Sequence, residues 1–349
     1  MKQLLLGIGD HRCRPAMKDH ERRGQSTRAK PVEVFMRLKA FAVLAATSVC
    51  LLGAQGAFSW GSLTHVFITN QLVAQSDESR YDAVYGSTTP DFANFMFSSP
   101  YQEYLMEKTH TDYMQIWKMA RGGPKYRSER ALAYGFVAHN AQDYTAHFMS
   151  RHLDPASGYV IQKAAILNEM LAYYGVWASL GLDGDAFAFL REGLAHELIE
   201  FAGDYLIALM APDTGQLLSD AAVCSSGDLA SLLVRAYAGE TVAFSNRSGI
   251  RLNQPSAAGI LAAGESMFRE FMAAYGYLFT NDNPVELLAD LAVFLQMMAA
   301  QRGIIVTDLD QLTQILYAAV YVIQDDFAFE IYKTIPFTAE ELAARKVAY

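Results

Sequence analysis

HNAQDYTAHF, residues 139 to 148, sets His139, Asp143 and His147 at strict four-residue intervals inside an apolar, alanine-rich run. Steps of four residues advance about 40° each round an α-helix. The three side chains therefore share a face and offer imidazole and carboxylate toward one centre or two adjacent ones. Neutral His and ionised Asp are common zinc ligands; a buried polar stripe satisfied by hydrogen bonds is the other reading. The surrounding SERALAYGFVAHNAQDYTAHFMSRH, residues 128–152, predicts one long helix with Ser128 as its cap and Glu129 in its first turn.

Working outward, the chain keeps reading as helices. GSLTHVFITNQLVAQ, 61–75, carries Leu63, Val66, Phe67, Leu72 and Val73 at helical spacing. Residues 186–210 read as another helix, and the C-terminal third gives three more, 256–279, 284–301 and 308–333, with Asn281, Asp282, Asn283, Gly303 and Thr307 as breaks. GSTTPDFANF, 86–95, contains Pro90 and turn residues and predicts a loop, and TVAFSNRSGIRL, 241–252, is at best a short hairpin. No strand alternation is sustained anywhere, so the expected class is all-α.

Composition sets the outer bounds. The chain has 349 residues, 52% of them hydrophobic and 19% charged, which is globular material with ample apolar content for a core. Its formal net charge is −9. Residues 1–59 hold 10 Lys/Arg and 4 Asp/Glu, which leaves residues 60–349 with 18 against 33, a net of −15. Such a surface repels bulk polyanions, and no basic stripe offers a nucleic-acid track.

Arg37 and Lys39 precede the apolar run AFAVLAATSVCLLGA, followed by QGAFSW. Positive flank, short apolar stretch, then small residues is the pattern of a secretion leader. A cut after Ser59 makes Trp60 the new N-terminus and a secreted or periplasmic protein; a cut after Ala57 is the rival site, and a buried or anchoring helix the rival reading. Residues 1–35 read as an extension ahead of a true start at Met36. Of Cys13, Cys50 and Cys224, only Cys224 follows the cut, so the mature chain is expected to lack an internal disulfide.

Further segments carry metal-binding residue types. AHELIEF, 195–201, places His196 and Glu200 one turn apart on a helix. This is not H-E-x-x-H, because Glu200 stands where that motif has its second His. WGSLTH carries Trp60 and His65, TPDF carries Asp91, and KTHTDY carries His110.

Taken in order, W-G-x3-H, P-D-F, an isolated His, H-x3-D followed by a His, and H-x3-E resemble the trinuclear zinc phosphodiesterases, a group comprising bacterial zinc-dependent phospholipase C and the S1/P1-type nucleases. The resemblance covers roughly residues 60–205. It implies a multi-helix bundle around a metal cluster; residues 206–349 lie outside the resemblance and read from their own pattern as a helical extension packed on that core. It also implies up to three zinc ions. One would be held by Asp91, His110, His139 and Asp143. A second would share Asp143 and be held by His65 and by the free α-amine and carbonyl of Trp60. The third would be held by His147, His196 and Glu200. Asp91 would be the general base; Asn140, Gln142 and Asp112 are candidates to orient the ligands. The gap of three residues between Asp143 and His147 is shorter than in the best-known members, which leaves His152 as an alternative to His147.

The implied function is a secreted phosphodiester hydrolase, foremost a phospholipase C with transient contact to a membrane surface and no stable nucleic-acid partner. The alternatives are an S1/P1-type single-strand nuclease, which would want disulfides and aromatic platforms for bases, and a non-catalytic zinc-stabilised helical protein. Tyr and Phe are abundant, at 19 and 20 residues, and supply material for such platforms.

Overall fold

The structure, a computed structural model, describes residues 60–96, 99–301 and 306–349. The expected extension 1–35 and leader 36–59 lie outside the described residues. Among the described residues every regular element is helical. In chain order these are α1 (Ser62–Leu72), α2 (Arg80–Gly86), α3 (Gln102–Thr111), α4 (Met114–Met119), α5 (Arg127–His147), α6 (Tyr159–Tyr173), α7 (Val176–Ser179), α8 (Ala188–Met210), α9 (Thr214–Cys224), α10 (Asp228–Arg247), α11 (Gln254–Leu278), α12 (Pro284–Gln301), α13 (Leu309–Ile323) and α14 (Phe327–Ala344). Short 3-10 turns lie at Thr89–Phe95, Pro124–Tyr126 and Asp185–Phe187.

The all-α expectation holds, with local corrections. The expected loop 86–95 is instead the end of α2 at Gly86, a turn, and an ordered 3-10 turn over Thr89–Phe95 with Pro90 in its first turn, where a missing N–H costs nothing. Ser128 lies inside the first turn of α5 and does not cap it. That helix ends at His147 instead of running to residue 152. The hairpin reading of 241–252 fails: α10 runs to Arg247, and Gly249, at φ +76°, turns the chain. The helix expected over 308–333 is two, broken at residues 324–326. There the Asp326 carboxylate leaves the helix pattern to accept from Tyr159 Oη and Lys163 Nζ, each at 2.6 Å. Cys224 is disulfide-bonded.

One apolar core runs from Trp60 through α2, α6, α8 and α11 to Ile331. α5 lies against α2 on one side and α14 on another, and α8 packs on α6 and α13. The α2–α5 contact is closer than side chains permit. A Cβ on Gly135 would stand 1.9 Å from the Ala83 carbonyl oxygen, so only glycine lets the two backbones meet there. This approach brings the chain after α2, including Ser87 and Asp91, up to the ligand-bearing stripe of α5. Among the described residues no single helix is long and apolar enough to cross a membrane.

Candidate metal centre

α5 supplies the axis of the site. His139 is fully buried and Asp143 nearly so. The His139 Nδ1–H donates to the Ser87 carbonyl at 2.8 Å, which turns Nε2 inward, 3.1 Å from Asp143 Oδ2. His110, near the end of α3, is fixed the same way: Nδ1 meets the Met106 carbonyl one turn back at 2.8 Å. Its Nε2 then lies 3.4 Å from His139 Nε2, 3.5 Å from Asp91 Oδ1 and 3.6 Å from Asp143 Oδ2. His65 comes from α1. Its Nδ1 is 2.5 Å from Gln142 Oε1, and the Gln142 amide is held in that sense because its Nε2 donates to Thr69 Oγ1 at 2.9 Å. His65 Nε2 is left facing Asp143 Oδ1 at 3.2 Å. Each imidazole thus spends its proton on an acceptor outside the cluster and points its basic nitrogen inward.

This arrangement fits a cation. Basic nitrogens and carboxylate oxygens converge, and Asp91 Oδ1 and Asp143 Oδ1 are buried without a hydrogen bond. Two overlapping ligand groups result, His65/His139/Asp143 and Asp91/His110/His139, each with its donor atoms within 4.8 Å of one another. Burial pushes His110 down, but the adjacent Asp91 carboxylate more than reverses this, and its pKa is raised to about 9. Burial likewise opposes ionisation of Asp143, yet His139 and His65 hold it well below the usual carboxylate range. Nitrogen and oxygen donors without sulfur are the set that suits zinc in an open site.

The third group comes from α5 and α8. His147, His196 and Glu200 bring their donor atoms within 4.8 Å of one another. His196 Nε2 lies 2.7 Å from Glu200 Oε1, and the His147 and His196 rings meet edge to face at 4.9 Å. Burial, then Glu197, Asp91 and Asp143, push the Glu200 pKa well up, so this group adjoins the other two. His152, the alternative to His147, is not brought here. It is exposed, its ring stacks on Phe329 at 5.3 Å, and Lys333 Nζ donates to its Nδ1 at 3.5 Å.

Trp60 is placed by its side chain rather than by the cluster. The indole is buried against Tyr159 and Phe327, and its N–H donates to the Gln142 carbonyl at 3.0 Å and to Thr145 Oγ1 at 3.1 Å. Residue 60 is thereby held beside the α5 turn that carries Asp143. Of the orienting candidates, Gln142 contacts a ligand directly. Asn140 ties α5 to the Thr109 carbonyl, one residue before His110. Asp112 turns outward to Lys108 at 2.5 Å and contacts no candidate ligand through its carboxylate.

Asp204, one more step of four along the His196–Glu200 stripe of α8, was missed by the sequence reading. It is fully buried and accepts from Leu63 N, Thr64 N, Thr64 Oγ1 and Tyr275 Oη at 2.8 to 3.0 Å. A carboxylate on the first N–H groups of α1 satisfies donors the helix cannot, and suits its dipole. A Cβ on Gly61 would lie 2.4 Å from that carboxyl group, which is a physical reason for glycine after Trp60. The continuing four-residue interval was the available signal.

The chain matches the family model for zinc dependent phospholipase C over residues 64–243, and it belongs to that family. It is therefore a zinc-dependent, phospholipase C-like phosphodiesterase, and every candidate ligand except Trp60 lies inside the match. No curated protein and no solved structure matches the chain.

Because Gln142 presents an acceptor to His65 Nδ1, Gln142→Leu is expected to lower zinc affinity by about 10- to 100-fold with the fold intact. A competition titration against a chromophoric chelator measures this, and unchanged affinity would remove Gln142 from the ligand-orienting role.

Proposed function

We propose that the mature chain, beginning at Trp60, is a secreted phospholipase C that hydrolyses the phosphodiester of a phospholipid headgroup. The observation that carries the proposal is the divergence of the two Asp143 oxygens, Oδ1 toward His65 and Oδ2 toward His139 and His110. A carboxylate so placed suits a bridge between two cations. One zinc would be held by Asp91, His110, His139 and Asp143. A second would share Asp143 and take His65 with the α-amine and carbonyl of Trp60. The third would take His147, His196 and Glu200, three protein donors that leave a position open. When bound, such ions offset the charge of the phosphoryl and leaving oxygens and acidify a water.

The remaining work belongs to the chain. Asp91, buried with Oδ1 free of hydrogen bonds, takes the proton of the attacking water. The carbonyls of Ser87 and Met106 and the Gln142 amide keep the imidazoles aimed inward throughout. An α-amine ligates only when unblocked and deprotonated, from a pKa near 8, so residues 1–59 must leave before the second position is complete. The leader pattern at 36–59 supports export and that cleavage. The net charge of −15 over residues 60–349 supports a lipid rather than a nucleic-acid substrate.

The test uses protein starting at Trp60. Elemental analysis is expected to give two to three zincs per chain, and phosphatidylcholine is expected to be cleaved while single-stranded DNA is not. DNA turnover without lipid turnover would replace the lipid reading with the nuclease one, and fewer than two zincs would remove the clustered-metal mechanism.

A further inference from the structure

The strip of surface leading away from His147 differs from the rest of this acidic chain. Phe148 follows His147 directly, its ring 6.1 Å from the imidazole, and is 65% exposed. Tyr144, one turn back, touches both Phe148, at 5.6 Å, and Phe337 of α14, at 6.1 Å. The Arg151 guanidinium lies over the Phe337 ring at 4.6 Å. Phe329 and Lys333 of α14 meet the ring of His152, the residue after Arg151, and Tyr332 beside them is, like Phe329, 59% exposed. The patch is therefore continuous, through ring and cation contacts, from a candidate zinc ligand to α14.

Its charge is cationic where the chain as a whole is strongly anionic. Glu330, one turn before Lys333 on α14, is buried. Its carboxylate is taken by Ser150 Oγ at 2.8 Å and by the N–H groups of Arg151 and His152 at 2.7 and 2.6 Å. Glu330 thus clamps the loop after α5 to α14 without presenting its charge to solvent. Exposed aromatic rings framed by cations are the composition that seats at the headgroup level of a bilayer. A contiguous exposed aromatic patch of this kind marks an interaction surface rather than scattered surface residues.

We propose that this strip, Phe148 and Arg151 with Phe329, Tyr332, Lys333 and Phe337, docks the protein on a bilayer carrying anionic headgroups. The proposal rests on the phospholipase reading for its substrate, and it goes further in naming the docking face and the lipid charge that recruits it. The rings enter the headgroup layer, and Arg151 and Lys333 meet anionic lipid. His147 at the strip's edge then faces the membrane, so a headgroup reaches the zinc ligands without leaving the interface.

The experiment is cosedimentation of mature, zinc-loaded protein with phosphatidylcholine vesicles, with and without phosphatidylserine, at low and high salt. Phosphatidylserine is expected to raise partitioning, and salt to reverse the gain. Lys333→Glu is expected to cost about fivefold on anionic vesicles, and adding Arg151→Glu to remove the preference. Phe148→Ser and Phe329→Ser should weaken binding to both kinds of vesicle. Zinc content serves as the folding control, and the wild-type salt response needs no variant at all. Equal wild-type partitioning on both vesicles, or variants that bind like wild type, overturns the proposal. So does a charge-reversal variant that loses only single-stranded DNA binding. Binding is read without turnover, so a protein that seats on vesicles yet cleaves no lipid would sink the phospholipase reading alone. Turnover of a dispersed soluble phosphodiester without vesicle binding would sink only the docking face.

Discussion

Asp143→Asn is expected to lower phosphodiester turnover by on the order of a hundred- to a thousandfold and to remove at least one zinc per chain. The substitution keeps the shape of the side chain. It removes the charge on which His65, His110 and His139 all converge, and it replaces one oxygen by a donor aimed at an inward-facing imidazole nitrogen. Because Oδ1 and Oδ2 serve different neighbours, the amide damages one side whichever way it turns. The companion substitution His152→Ala should leave zinc content unchanged, since His152 stacks on Phe329 outside the three groups. Elemental analysis and kcat on a soluble substrate read both. Full zinc occupancy in the Asn variant would show that Asp143 does not bridge.

The largest expected loss of stability comes from Asp204→Ala, about 3–5 kcal/mol in urea unfolding. Four hydrogen bonds end on that carboxylate, and three come from the first turn of α1. Truncation leaves several buried donors unsatisfied at roughly 1–3 kcal/mol each, partly relieved by water entering the gap. α1 also delivers His65, so zinc content should fall together with the unfolding midpoint. Asp204→Asn keeps some acceptors and should cost less than half as much. A midpoint within error of wild type for the Ala variant would mean that α1 is held by its apolar face alone.

How much of this was legible in the sequence depends on whether the information was local. The four-residue intervals of His139, Asp143 and His147 fixed a shared helix face before any fold was known. The structure brings them together with Asp91, His110, His65, His196 and Glu200, which the sequence scatters over more than a hundred positions. Boundaries fared worse. The break at residues 324–326 depends on Asp326 meeting Tyr159 and Lys163, partners more than a hundred and sixty positions away. Ser128 offered a local cap, but α5 starts at Arg127 with Tyr126 at the cap position, two residues earlier. The roles of Asp204 and Glu330 as clamps appear only once the elements they hold are in place.

α14 has a consequence for how the molecule is made. Phe327 walls the niche of the Trp60 indole, Thr334 Oγ1 meets Thr145 Oγ1 at 3.1 Å, and Glu330 secures residues 150–152. Trp60 is thus seated by the last of the described helices. A polypeptide that lacks α14 has an open wall behind α5, and the metal cleft takes its final form only once that helix has docked.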